Sequence, residues 1–154
     1  MLIRLAVAIV LGALLGLERE LVGKEAGIRT EMLVAAGAAI FAMIGISLPY
    51  VVAMPSGTIP DLTAQDSAFG IIAGIVSGIG FLGAGLIIKT ESRARGITTA
   101  ALVWTTAAIG VLVGIGMINF AVIATILIAA LLYILRKTDI AEQIEEKRSK
   151  TLSH

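Results

Sequence analysis

The chain has 154 residues, enough for one domain, and 58% of them are hydrophobic against 15% charged. With a mean hydropathy of +1.00, this is a membrane profile rather than that of a soluble core. A net charge of +1 gives no sign of a nucleic-acid partner, and the absence of cysteine excludes disulfides, iron–sulfur clusters and thiolate zinc sites.

The first segment, about 2–22, is short. Only Leu5 to Leu17 is uncharged between Arg4 and Glu18, whereas a spanning helix needs about 20 residues. Either Arg4 snorkels outward or Glu18, Arg19 and Glu20 lie inside the membrane boundary. No small-x-small cleavage site follows Leu17, so the segment reads as retained rather than as a signal peptide. A polar turn with Gly23 and Gly27 leads to segment two, about 31–49, which Thr30 can cap and whose first turn holds Glu31. Pro49 and Tyr50 mark its far end. A loop with Pro55, Gly57 and Pro60 follows.

Segment three, about 66–88, is capped by Asp66 or Ser67 and is rich in glycine. Three readings of Gly78-Ile79-Gly80-Phe81-Leu82-Gly83-Ala84-Gly85 compete. Gly70, Gly74 and Gly78 fall at i, i+4 and i+8, which makes a smooth stripe for close helix packing. Alternatively, the run from Gly78 to Gly85 unwinds and lines a path for an ion. Gly78-x-Gly80-x-x-Gly83 also spells a dinucleotide fingerprint, but no βαβ unit surrounds it, and that reading is rejected. Packing is preferred.

Lys89 to Gly96 is a short polar turn. No charge follows from Ile97 to Leu135, too long a run for one crossing and suited to two. Gly114, Gly116 and Asn119 supply the turn between segments four (97–115) and five (120–136). Thr98 and Thr99 are placed to cap segment four, and Trp104 reads as a packing residue at depth. Residues 137–154 form a charged tail with a short interfacial helical continuation. The expected architecture is therefore an all-α membrane protein, a bundle of five transmembrane helices in one domain (1–136) with a tail. Arg4 alone lies on one side, while the other 11 of the 12 Lys and Arg residues fall on the opposite side. That asymmetry places the N-terminus outside and the C-terminus in the cytoplasm.

Chemistry-bearing residues are sparse. His154 is the single histidine, so no base or nucleophile pattern stands out, and neither a catalytic site nor a metal or cofactor site is expected. The carboxylates near membrane depth are Glu18, Glu20, Glu31 and Asp66, the last on the opposite side from the others. A charge at depth without a partner costs about 2.5 kcal/mol or more. The expectation is thus one cluster of Glu18, Arg19, Glu20, Arg29 and Arg95 at the cytoplasmic end. Within it, Glu18 pairs with Arg95 or Arg29 and Arg19 faces Glu20 or Glu31, because an arginine fork suits a carboxylate. Gly74, Gly78, Gly80, Gly83 and Gly85 are the candidate packing or path residues.

Four co-linear motifs carry a resemblance. They are Gly16-Leu17-Glu18-Arg19-Glu20, Gly27-Ile28-Arg29-Thr30, the run from Gly78 to Gly85, and Gly96-Ile97-Thr98-Thr99-Ala100-Ala101 with Trp104. In these, and in Asp66 ahead of the glycine run, the chain resembles the MgtC/SapB family of bacterial inner-membrane proteins over about residues 4–135. It departs from the family at Glu31, where a histidine is frequent, and at Phe69, where an arginine is usual. It reads as a short member without the soluble C-terminal domain. The resemblance implies a non-enzymatic, multi-pass inner-membrane protein of regulatory type, linked to growth in low magnesium and to survival inside macrophages. The implied partners are the lipid bilayer and a membrane protein, the F-type ATP synthase among them, with a homo-oligomer as an open alternative. A small ion carrier or channel subunit, its path lined by the Gly78–Gly85 run, is the competing reading.

Overall fold

The computed structural model describes residues 1–53, 63–91 and 94–152, with backbone alone at 49, 52–53, 63–68 and 138–152. Five helices and one two-stranded hairpin make up the described residues. In chain order they are α1 (Leu2–Leu21), α2 (Ile28–Ala53), α3 (Thr63–Gly85), β1 (Ile88–Lys89), β2 (Ala94–Arg95), α4 (Ile97–Ile115) and α5 (Ile118–Leu152).

Glycine ends two of the helices in the same way. Gly23, at φ 67°, donates its N–H to the Glu20 carbonyl, and Lys24 donates to that of Arg19. Gly116, at φ 99°, donates to Val113, and Met117 donates to Leu112. Both pairs are Schellman closures, which satisfy the last carbonyls of a helix and favour a residue without Cβ at the left-handed position. They explain why α1 and α4 stop where they do.

Several boundaries differ from the sequence expectations. α2 begins at Ile28, ahead of Thr30, because the Glu20 carboxylate accepts from the Ile28 N–H at 3.0 Å and performs the capping itself. It also runs through Pro49 and Tyr50 to Ala53. The N-cap of α4 is Gly96, at φ 84°, with no side-chain bond from Thr98 or Thr99. The Lys89–Gly96 turn contains an antiparallel hairpin, pairing Ile88 with Arg95 and Lys89 with Ala94. α5 starts at Ile118, so that Asn119 is helical, and continues without a break into the charged tail. α3 is one helix through Gly85, so the run from Gly78 is not unwound. α3 is already helical from Thr63, so Asp66 and Ser67 lie inside it rather than at its cap, and the loop Pro55–Pro60 lies outside the described residues.

The core sits where α1, α2 and α4 meet. α2 packs most closely against α1 and α4, α3 leans on α2 and α4, and α5 touches α1 and α4. On α1 the buried residues are Ala8, Leu11, Gly12, Leu15, Gly16 and Arg19, a stripe at three- and four-residue spacing that faces one way along a helix. α2 answers with Ala35, Ala38, Ala39 and Ala42, and α4 with Leu102, Val103, Ile109 and Val113 among others. Among the described residues, three helices are long and apolar enough to cross a membrane: Ile28–Leu48, Ile97–Ile115 and Ile118–Lys137. The apolar part of α3, Phe69–Gly85, is shorter than these, and the 20 residues of α1 carry Arg4, Glu18, Arg19 and Glu20. α4 is the most buried of the three spans and Ile118–Lys137 of α5 the least, so that part of α5 presents a largely apolar surface outward.

Candidate functional site

Glycine pairs on α1 and α4 bring three helices to backbone contact around Glu31. A Cβ added at Gly12 would stand 2.5 Å from the Glu31 carbonyl oxygen, and one at Gly16 would stand 2.6 Å from the Ile28 Cα. Further along the same face of α2, Gly110 abuts the Ala35 carbonyl, and a Cβ at Gly114 would come within 2.7 Å of the Ala39 carbonyl oxygen. One face of α2 is therefore gripped at successive levels by two Gly-xxx-Gly surfaces, the arrangement that lets helices attract by dispersion where lipid removes the hydrophobic drive between them. These pairs, not the glycine run of α3, hold the bundle. Their four-residue spacing is visible in the sequence, but α3 carries the same spacing at Gly74 and Gly78, so it could not single them out.

Around Gly74 and Gly78 no atom lies within 4 Å of an added Cβ, and the same holds at Gly70, Gly80 and Gly85. Only Gly83 of that run touches another helix, with its Cβ position 3.6 Å from Ala100. Gly74 and Gly78 instead line an apolar groove of about 680 Å³ between α2 and α3, opposite Leu33, Gly37 and Phe41. The expected packing stripe is thus an open face within this chain.

The clamp encloses charge. Glu31 is fully buried, Arg19 is 6% exposed and Thr106 is fully buried. Arg19 Nε donates to Glu18 Oε2 at 2.7 Å. Thr106 of α4 and Arg19 of α1 are the polar side chains that act on the Glu31 carboxylate. Neither reaches hydrogen-bonding geometry, and both Glu31 oxygens and Thr106 Oγ1 lack a hydrogen-bond partner among the described residues. Buried polar atoms in this condition are uncommon in folded proteins.

The expected five-residue cluster is only partly assembled. Glu18 bonds its neighbour Arg19 rather than Arg29 or Arg95, both of which are exposed. The short connections do not carry those two arginines over the buried pair. Arg19 does lie toward Glu31, whereas Glu20 is exposed and occupied with the start of α2. Thr30 and Thr98 are exposed, Thr99 is buried, and the Asp66 side chain lies outside the description. Trp104, expected as a packing residue at depth, is 47% exposed on the outer face of α4. Arg4 does not snorkel away. Its Nη1 donates to the Gly114 carbonyl at 2.9 Å, and the guanidinium rests beside Gly116 at the end of α4. A cation there meets the negative end of a helix dipole. Among the described residues no three His, Asp or Glu side chains converge on a metal position.

Helices of spanning length around a glycine-clamped charge cluster define a predominantly helical membrane protein. A profile of the MgtC family matches residues 5–140, which include all of this architecture up to the tail, and the chain belongs to that family. It is 42% identical over 135 residues to Protein MgtC of Salmonella typhimurium strain LT2, covering 88% of this chain and 52% of that protein. It is 44% identical over 132 residues to Protein MgtC of Brucella abortus strain 2308, covering 86% of this chain and 50% of the relative. The chain thus spans about half the length of these curated relatives. No solved structure matches it.

Proposed function

We propose that this chain is a non-enzymatic, multi-pass protein of the bacterial inner membrane that acts by contact with another membrane protein. By its family it serves adaptation to low magnesium and, in pathogens, survival inside host cells, and restraint of the F-type ATP synthase is the action to test first. The observation that carries this reading is the family match over residues 5–140, which takes in α1 to α4 and the spanning part of α5. The open apolar faces of α3 and α5 suit contact with lipid and with another membrane protein. On this reading α1 and α3 also cross, making five spans with the N-terminus outside, as the distribution of Lys and Arg favours.

Two experiments test it. ATP-driven proton pumping in inverted membrane vesicles should fall when the protein is present, and purified protein in liposomes should produce no magnesium or alkali-cation flux. Unchanged pumping together with flux would replace the regulator with an ion carrier. For topology, cysteines placed at Gly57 and Ser153 should label from opposite sides of intact cells, with Gly57 reached by an impermeant reagent. Labelling of both from outside would exclude five spans.

A further inference from the structure

The buried charges at the α1–α2–α4 crossing do not balance. Taken as ions, Glu18, Arg19 and Glu31 sum to −1, and the Arg19 guanidinium is already bonded to Glu18 at 2.7 Å. Glu31 is fully buried and the Arg19 side chain is 8% exposed, while Glu18, at 14%, lies at the edge of the enclosed region. An uncompensated carboxylate in such a place is strongly disfavoured, so one more positive charge belongs to the site. Among the described residues no other side chain supplies it. On α1 the charge acting on Glu31 is Arg19, which is bonded to Glu18. α4 contributes Thr106 and no charge, and the described part of α3, from Phe69 to Gly85, holds no ionisable residue. Arg29 on α2 itself is exposed, as are Lys24 and Glu25 in the preceding turn.

The geometry distinguishes between positive charges. Two oxygens from Glu31 and one from Thr106 are too few for a calcium ion, which takes six to eight, or for a magnesium octahedron. Gly12 and Gly110 press their helices onto the carbonyls of Glu31 and Ala35, which leaves little space for a hydrated ion. A proton needs only one oxygen lone pair. Once bound, it makes Glu31 a donor, and a hydroxyl is then the acceptor required. Thr106 is prepared for that role. Thr105 and Thr125 turn their hydroxyls back to the carbonyls of Ala101 and Ala121, at 2.7 and 2.8 Å. Thr106 makes no such bond, and its Oγ1 is buried without a partner among the described residues.

We propose that Glu31 is an exchangeable proton-binding site, a carboxylic acid donating to Thr106 Oγ1 in one state and a carboxylate facing Arg19 in the other. The proton comes from solvent and returns to it. In the anionic state Arg19 is shared between Glu18 and Glu31, so the charge of the cluster alternates between 0 and −1 at the point where three helices touch.

Infrared difference spectra of the full chain in lipid nanodiscs, recorded over pH steps, test this directly. The wild type should show the carbonyl stretch of a protonated carboxyl that is lost reversibly as pH rises, and Glu31→Gln should lack that band. Thr106→Val should keep the band but shift it to the higher frequency of an unbonded acid, while Thr106→Ser should leave it in place. These two variants carry the test if Glu31→Gln does not fold. The proposal is overturned if the wild type and Glu31→Gln give the same spectra. It is likewise overturned if the band is constant across the pH range in which the protein is folded, or unmoved in Thr106→Val. Loss of the band on exchanging choline for sodium at fixed pH would reassign the site to an alkali-metal ion.

Discussion

Substituting Gly12 by alanine adds one methyl group at the tightest contact between α1 and α2. Its Cβ would stand 2.5 Å from the Glu31 carbonyl oxygen and 2.9 Å from the Ala35 Cβ. Comfortable contact requires about 3.5 Å, so α1 must retreat by roughly 1 Å. A gap of that size forfeits a quarter to a half of the dispersion energy of the atoms it separates. The atoms concerned belong to Ala8, Leu11 and Leu15, which are all buried on the same stripe. Overfilling a well-packed contact costs about 1–3 kcal/mol, and the better helix propensity of alanine offsets up to about 1 kcal/mol of that. Taking the middle of that cost and the full offset, a net loss of about 1 kcal/mol is expected. Gly74→Ala serves as the internal control. With no atom within 4 Å of its Cβ, only the propensity remains, and stability should be unchanged or higher. Reversible unfolding in mixed micelles, followed by helical circular dichroism, measures both. The clamp is refuted if Gly12→Ala is as stable as the wild type, or if Gly74→Ala is the more damaging of the two.

Other substitutions probe separate parts of the structure. Arg4→Leu removes the 2.9 Å bond to the Gly114 carbonyl, and loss of a charged donor should cost about 1.5–3 kcal/mol in the same unfolding assay. Gly96→Ala places a Cβ at φ 84° and against the Leu86 carbonyl. A loss exceeding about 1 kcal/mol is expected, visible as a lowered melting temperature. Glu20→Ala uncaps Ile28 and should cost about 0.5–2 kcal/mol, while Glu20→Gln keeps an acceptor oxygen and most of the stability. Trp104 is the only tryptophan and faces outward from α4. Its fluorescence should be quenched strongly by lipids brominated along the acyl chain and weakly by aqueous iodide, with the reverse order contradicting a lipid-facing position.

The positions of the helices were largely legible in the sequence because they follow from local chemistry. Uncharged runs of sufficient length set α2, α4 and α5, and the residues that end α1 and α4, Gly23 and Gly116, act through their own backbone angles. Where Ile28 starts α2 was not legible, because its cap is the carboxylate of Glu20, eight residues away across a turn. Nor could glycine spacing say which stripe would be used. Gly12/Gly16, Gly74/Gly78 and Gly110/Gly114 share the same four-residue interval, and an interval carries no information about the surface opposite it. Tertiary structure decided among them by placing the alanine-rich face of α2 against the first and third pairs and leaving the second open. The charges followed the same logic. That Glu18 and Arg19 needed partners could be read from the length of the first segment, but the identity of those partners depends on helix rotation. Rotation buried Glu31 and Thr106 at the crossing and left Arg29 and Arg95 at the surface, because a close-packed three-helix contact admits only the side chains that happen to face it.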